Sequence, residues 1–478
     1  MTTIKILIYT DKKEISRVGT VLDWKLSILP NTLEAVESPF VNFKVDVINR
    51  NRTFNVVPPN EQDVIRLTTE LLQEFDEVWF MGTYQQNVDT FSEGFGGPKN
   101  ELNEDEVNAL ASWMNNEFGG VLITGDHATD RPGQVNDPKD EQLALGRALG
   151  QKVPRAGQLR IWKGPPTLAP ADAFNTLSTG VVDPTQDDPI PQRLLFDHVD
   201  ARGVPHELFW GKDQKGKQQF INVFPDHAHE GGLIIPEPDN TWPPFDAPPG
   251  TVKPKAVSIA SGINFAPNGG RNSVLVTYDG DSVGVGRIVA DSSFHHYLDV
   301  NLEGFNQSED KSILRSITQF YRNLAFYLIP LSKRQQIAKE MFARIVTHPA
   351  VLEERGNRAE AIGNMAQNYL SRVASPIELN EMVHMLLPPV VRADTDNAFL
   401  PVAFGDSSLP SQEMVLGSMI ARELQSMARV ERVEAGVAPD ADEGIDSFTA
   451  GLQDALQSHT DRMKEFAANN EKVLALLE

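Results

Sequence analysis

Gly119-Gly120-Val121-Leu122-Ile123-Thr124-Gly125-Asp126-His127 is the stretch whose reading decides the fold. A short apolar run that ends in small and polar residues reads as a buried strand over 120–124 stopping at a functional loop. The residues just before it have the grammar of a helix over 102–116. Asn103 stands at the cap, Glu106 follows at the capping-box spacing, and Val107, Leu110, Ala111 and Met114 fall on one face. A helix therefore feeds a strand. In open α/β sheets ligands sit outside the carboxyl ends of the strands, which is where Gly125, Asp126 and His127 fall.

Toward the N-terminus the same alternation repeats. Residues 4–9 read as a fully buried strand, 43–48 as an alternating one, 61–75 as a helix and 77–81 as a strand whose loop carries Tyr84 and Gln85. Strand alternating with helix implies a parallel sheet with right-handed crossovers. Toward the C-terminus, 141–149 suits a short helix. Prolines and glycines then crowd 154–254, which reads as loops and short strands, one at 220–224, inserted into the sheet domain. Residues 272–278 and 285–290 suit a hairpin turned by Asp279-Gly280-Asp281, and 313–328 an amphipathic helix. From 331 helical periods dominate, at 332–346, 357–373, 377–387, 411–433 and 447–477. The expected organisation is an α/β domain over 1–330 and an all-helical module over 331–478, whose apolar faces suit internal packing or homo-oligomerisation.

Composition narrows the function classes. The 478 residues hold 43 Lys and Arg against 66 Asp and Glu, a formal charge of −23, which argues against nucleic-acid and anionic-membrane partners. No apolar run reaches the roughly 18 residues of a membrane span. The opening apolar run is too short for a signal peptide, so a cytoplasmic setting is expected. The chain has no cysteine, which removes disulfides, thiolate metal sites and cysteine nucleophiles.

Five of the ten histidines lie in three short motifs, each after an expected strand: Gly125-Asp126-His127, Pro225-Asp226-His227-Ala228-His229-Glu230-Gly231 and Asp291-Ser292-Ser293-Phe294-His295-His296. If the strands are neighbours, imidazoles and carboxylates meet at one sheet edge. One reading is a divalent zinc, manganese or iron site drawn from His127, Asp226, His227, His229, Glu230, Asp291 and His295. A second is a metal-free polar pocket with Asp126, His127, His295 and His296 as acid–base candidates. A third is structural, with Asp291 or Ser292 capping the next helix. Asp11, Tyr84, Gln85 and Arg155 are candidate ligand contacts for a small polar molecule. Arg160 is a weaker one, and His198 and His206 read as structural.

Taken together, the strand at 4–9, Val78-Trp79-Phe80-Met81-Gly82, the helix and strand over 102–124, and Gly286-Arg287-Ile288-Val289-Ala290-Asp291 leading to a histidine resemble the class I glutamine amidotransferase-like superfamily, and within it the ThuA-like (trehalose utilisation) group. The resemblance covers roughly 1–330. It implies a flavodoxin-like, mostly parallel sheet with helices on both faces, and a hydrolase-like activity on a carbohydrate-like substrate. Where the superfamily's amidotransferases carry a nucleophilic cysteine this chain reads Thr124-Gly125-Asp126-His127, so a thiolate glutaminase is excluded. His295 or His296 stands where the superfamily's late histidine is expected. The alternative is a non-catalytic ligand-binding or assembly protein with a degenerate pocket.

Overall fold

The computed structural model describes residues 1–10, 25–50, 65–81, 102–124, 191–199, 203–213, 217–225, 233, 256–263, 271–281, 284–349, 359–370, 374–386, 416–417 and 420–421. Its centre is an eight-stranded sheet. The five strands β1 (Thr2–Thr10), β2 (Val41–Asn49), β3 (Glu77–Phe80), β4 (Gly120–Thr124) and β12 (Ile288–Asp291) run parallel, in the order β2-β1-β3-β4-β12. Beyond β12 the sheet continues antiparallel through β11 (Arg271–Tyr278), β10 (Val257–Ile263) and the two-residue β6 (Leu195–Phe196). The chain is an α/β protein with a mostly parallel sheet.

Both faces of the sheet are covered, which is why the parallel strands are apolar almost throughout. Alternate residues serve different cores. Ile4, Ile6 and Ile8 of β1 join Trp79, Leu122 and Val289 on one face, while Leu7 and Tyr9 join Val78, Phe80, Val121 and Ile123 on the other. The second face is covered by α2 (Thr69–Leu72) and α3 (Glu104–Glu117) through Leu72, Val107, Leu110 and Met114. Asn103 and Glu106 form the expected capping box at the start of α3. The first face is covered by α1 (Ile28–Glu34), α4 (Asp299–Gln307) and α5 (Ser312–Leu328), the last through Phe320, Tyr321 and Leu324. Into that same core reach α6 (Leu331–Val346), α7 (Ala359–Leu370) and α8 (Pro376–Leu386), with Ile337, Met341, Ile362 and Ile377. These three helices thus complete a face of the sheet.

Local expectations fail where a long-range partner overrides periodicity. The helix expected over 61–75 is, among the described residues, only Thr69–Leu72. Residues just before it are held extended, because the Ile65 amide donates to the Arg50 carbonyl and the Leu67 amide to the Glu106 carboxylate. The single strand expected at 220–224 is two. β8 (Gln218–Phe220) pairs with β7 (Trp210–Lys212), whereas β9 (Val223–Pro225) pairs with β5 (Pro191–Arg193), so the chain changes partner at 221–222. The hairpin at 271–291 forms as expected, but β12 starts only at Ile288.

Packing is close at the entrance to β12. A Cβ on Gly286 would fall well inside van der Waals contact with the Gly119 carbonyl oxygen, and one on Gly120 would meet the Leu328 carbonyl. Backbone cannot give way as a flexible side chain can. Gly286→Ala is therefore expected to destabilise the fold by about 1–3 kcal/mol. An unchanged urea midpoint would show that the entrance can relax.

Candidate functional site

The carboxyl ends of the parallel strands are stitched side to side. The Thr10 hydroxyl donates to the Met81 carbonyl (2.8 Å), and the Thr124 hydroxyl to the Phe80 carbonyl (2.7 Å). β12 extends this edge, because it lies beside β4 with Asp291 opposite Thr124. Asp291 is fully buried and both its carboxylate oxygens have polar partners. Its Oδ1 accepts from the Ser293 amide (3.1 Å) and stands 2.7 Å from His296 Nδ1, while its Oδ2 accepts from the Tyr297 hydroxyl (2.9 Å). A carboxylate only accepts, so Nδ1 carries the imidazole proton and Nε2 is the basic atom. The Tyr321 hydroxyl donates to the His296 carbonyl. Burial first, then the neighbouring Asp291 charge, pushes the Tyr297 hydroxyl well above its ordinary range and keeps it a donor.

A short 3-10 turn, Phe294–Tyr297, folds these residues back onto the strand end. Its cap is Ser293, whose hydroxyl accepts from the His295 amide, where the sequence suggested Asp291 or Ser292. The turn packs under α5 and against β9. The Phe224 ring lies 5.2 Å from the His296 ring and 4.6 Å from Phe320. His295 and His296 are both buried, the second at 2% exposure.

Of the residues singled out from sequence, the structure brings together Asp291, His295 and His296. Asp11, Tyr84, Gln85, Asp126, His127, Arg155, Arg160, Asp226, His227, His229 and Glu230 lie outside the described residues. Among the described residues no three His, Asp or Glu side chains are grouped as metal ligands. Asp291 already gives both oxygens to protein donors, which suits an orienting carboxylate better than a ligand. His206 acts structurally, its Nδ1 accepting from the Leu208 amide at the start of the 3-10 turn Glu207–Phe209.

Two polar clusters escaped the sequence reading. Arg50, just past β2, is fully buried and pairs with Glu106, which also receives Arg66 and the Leu67 and Asn103 amides. The capping-box signal located Glu106, but nothing local pointed to its arginines. At the opposite, amino-terminal edge of β12, Glu381 of α8 bridges two buried arginines. Its Oε1 lies 2.6 Å from Arg287 Nη1 and its Oε2 2.9 Å from Arg334 Nη1, and Asp281 pairs with both guanidinium groups.

No family model and no curated protein matches this chain. Among solved structures, one described as the mmIFT52 N-terminal domain aligns with a TM-score of 0.36 and 14% identity, covering 67% of this chain and 97% of that one. That likeness carries no inference about function. Among the described residues no helix is long and apolar enough to cross a membrane.

Proposed function

We propose that this chain is a hydrolase-like enzyme of flavodoxin-like, amidotransferase-like architecture, acting in the cytoplasm on a small polar, carbohydrate-like substrate at the carboxyl edge of its sheet. The observation that carries this reading is the Asp291–His296 pair at the end of β12. Thr124 is the register partner of Asp291, and the Phe224 ring touches His296. Gly125-Asp126-His127 and Asp226-His227-Ala228-His229-Glu230 follow these two anchors in the chain. Two further histidine-bearing stretches thus begin within two residues, in sequence, of anchors at that strand end. The order β2-β1-β3-β4-β12 supports the flavodoxin-like assignment, since it matches the doubly wound arrangement in which ligands bind outside the carboxyl ends.

In this reading Asp291 fixes the His296 tautomer, and Nε2 takes a proton from the attacking water and returns it to the leaving group. A zinc, manganese or iron ion held by the 127 and 226–230 histidines and carboxylates would supply a more acidic water there. Hydrolysis of p-nitrophenyl acetate and p-nitrophenyl glucoside tests the proposal. His296→Asn is expected to lower turnover of the accepted probe by about 10²–10⁴-fold, the usual worth of a general base. No turnover of either probe by the unaltered protein, or equal turnover by the variant, would overturn it. Elemental analysis and thermal shift with each metal test the ion.

A second reading, a non-catalytic ligand-binding or assembly protein, is favoured by the burial of His296 at 2% exposure. It expects His296→Asn to lower stability with no turnover to lose. Homo-oligomerisation through residues 331–478 belongs to this reading, and the mass of the full chain in solution tests it. Truncation at 331 is unsuited, because α6 to α8 fill the sheet's own core.

A further inference from the structure

Gln192 sits in the middle of β5, fully buried, and among the described residues neither its amide oxygen nor its amide nitrogen has a hydrogen-bond partner. Its flanking residues, Pro191 and Arg193, are more exposed, so the strand turns this one side chain inward. Directly across the ladder is Phe224, whose ring touches His296. Cross-strand partners point to the same face with Cβ atoms about 5 Å apart. The Gln192 side chain therefore lies on the face of this ladder where Phe224 packs against His296 and Phe320.

Burying an amide with both ends unmatched costs about 1–3 kcal/mol for each group. Leucine or methionine would fill the same place at no such cost. Structural glutamines are hydrogen-bonded when buried, and each exception asks for a partner. A carboxamide presents one acceptor and one donor on neighbouring atoms and carries no charge. Its complement is a neutral group that also donates and accepts side by side, either a vicinal diol or another carboxamide. A chain with a formal charge of −23 likewise favours neutral over anionic ligands.

We propose that Gln192 is a ligand-positioning residue of the His296 site, holding the neutral donor–acceptor part of the molecule bound there. The assignment rests on the reading of that site as a ligand pocket, and it does not require that catalysis follow. The two claims separate experimentally. Binding of glucose, acetamide and acetate to the full chain is followed by ligand-observed NMR, for the unaltered protein and for Gln192→Met, which keeps the length of the side chain. Glucose or acetamide should bind, acetate should not, and the substitution should weaken binding at least tenfold while leaving the thermal midpoint equal or higher. That last result is the readout a structural glutamine would not give, because losing a satisfied buried amide lowers stability.

Equal binding by Gln192→Met, binding of acetate alone, or binding of none of the three probes would overturn the assignment. So would a lowered thermal midpoint, which would mean the amide is satisfied within the fold. His296→Asn distinguishes the two proposals. Probe binding that depends on Gln192 in a protein without hydrolytic turnover leaves this inference standing and removes the catalytic one. Turnover lost in His296→Asn with binding unaffected by Gln192→Met does the reverse.

Discussion

Glu381→Ala is expected to destabilise the protein by about 3–5 kcal/mol, the usual consequence of removing one partner from a buried ion pair. The Arg287, Arg334 and Glu381 side chains are 4%, 3% and 7% exposed, so water cannot replace the lost carboxylate. Some compensation remains. Asp281 still pairs with both guanidinium groups, the Arg287 Nη1 also donates to the Tyr327 carbonyl, and Arg334 Nε to that of Ile329. Arg287 further lies over the Tyr327 ring, 4.3 Å from its centroid. Asp279 also pairs with Arg287 but is half-exposed, so it offsets the lost carboxylate only in part. Urea denaturation should show the loss as one cooperative transition, because α8 and the sheet share a core. A loss below about 1 kcal/mol would place this cluster among ordinary surface pairs. Two separated transitions would show that the helical region folds as a unit of its own.

That network marks the boundary of what local sequence patterns carry. The strand at 120–124, the capping box of α3 and the hairpin at 271–291 were legible because each depends on residues a few positions apart. So were the helices at Leu331–Val346, Ala359–Leu370 and Pro376–Leu386, while the one expected at 447–477 lies outside the described residues. Where those helices pack was not legible, because it depends on Glu381 meeting an arginine 94 positions earlier. The same holds for residues 65–67, whose apolar spacing suits a helix but whose amides are claimed by Arg50 and Glu106. α1 is not legible locally, since Pro30 and Asn31 obscure a short helix whose first amides are held by Asp299 from across the fold. At the site, the sequence pointed to Asp291 and the histidines after it through their place at a strand end. It did not reveal that Tyr297 and Ser293 would consume the carboxylate, nor that β5 would carry Gln192 to the same face. Both follow from pairings the chain makes at a distance.

Stability is expected to depend on pH through two adjacent residues with opposite signs. Glu207 is raised from 4.5 to about 8, by burial first and then by the Glu381 carboxylate, with Arg287 and the Asn380 amide opposing. His206 is lowered from 6.5 to about 3, by burial first and then by His198 and Arg287, with Asp279 and Glu381 opposing. The raised carboxyl gives its full contribution below pH 4.5 and loses it as pH climbs through 8. The lowered imidazole gives its full contribution above pH 6.5 and loses it as pH falls toward 3. Between pH 4.5 and 6.5 the two slopes cancel, so this pair's contribution should be flat there and fall on both sides. Each limb is worth on the order of a few kcal/mol. Glu207→Gln keeps an oxygen for the Asn380 amide, which donates to Oε2 at 2.6 Å, but has no proton to lose. Its urea midpoint should therefore stay level from pH 6.5 to 8 while the unaltered protein declines, and the acid limb should survive. An alkaline decline of the same depth in Glu207→Gln would mean that this limb belongs to another group. The coupling has a structural consequence, because Glu207 stands beside Glu381. Ionising it adds a second negative charge next to the bridge that holds Arg287 and Arg334, so the alkaline loss in Glu381→Ala should be smaller than in the unaltered chain.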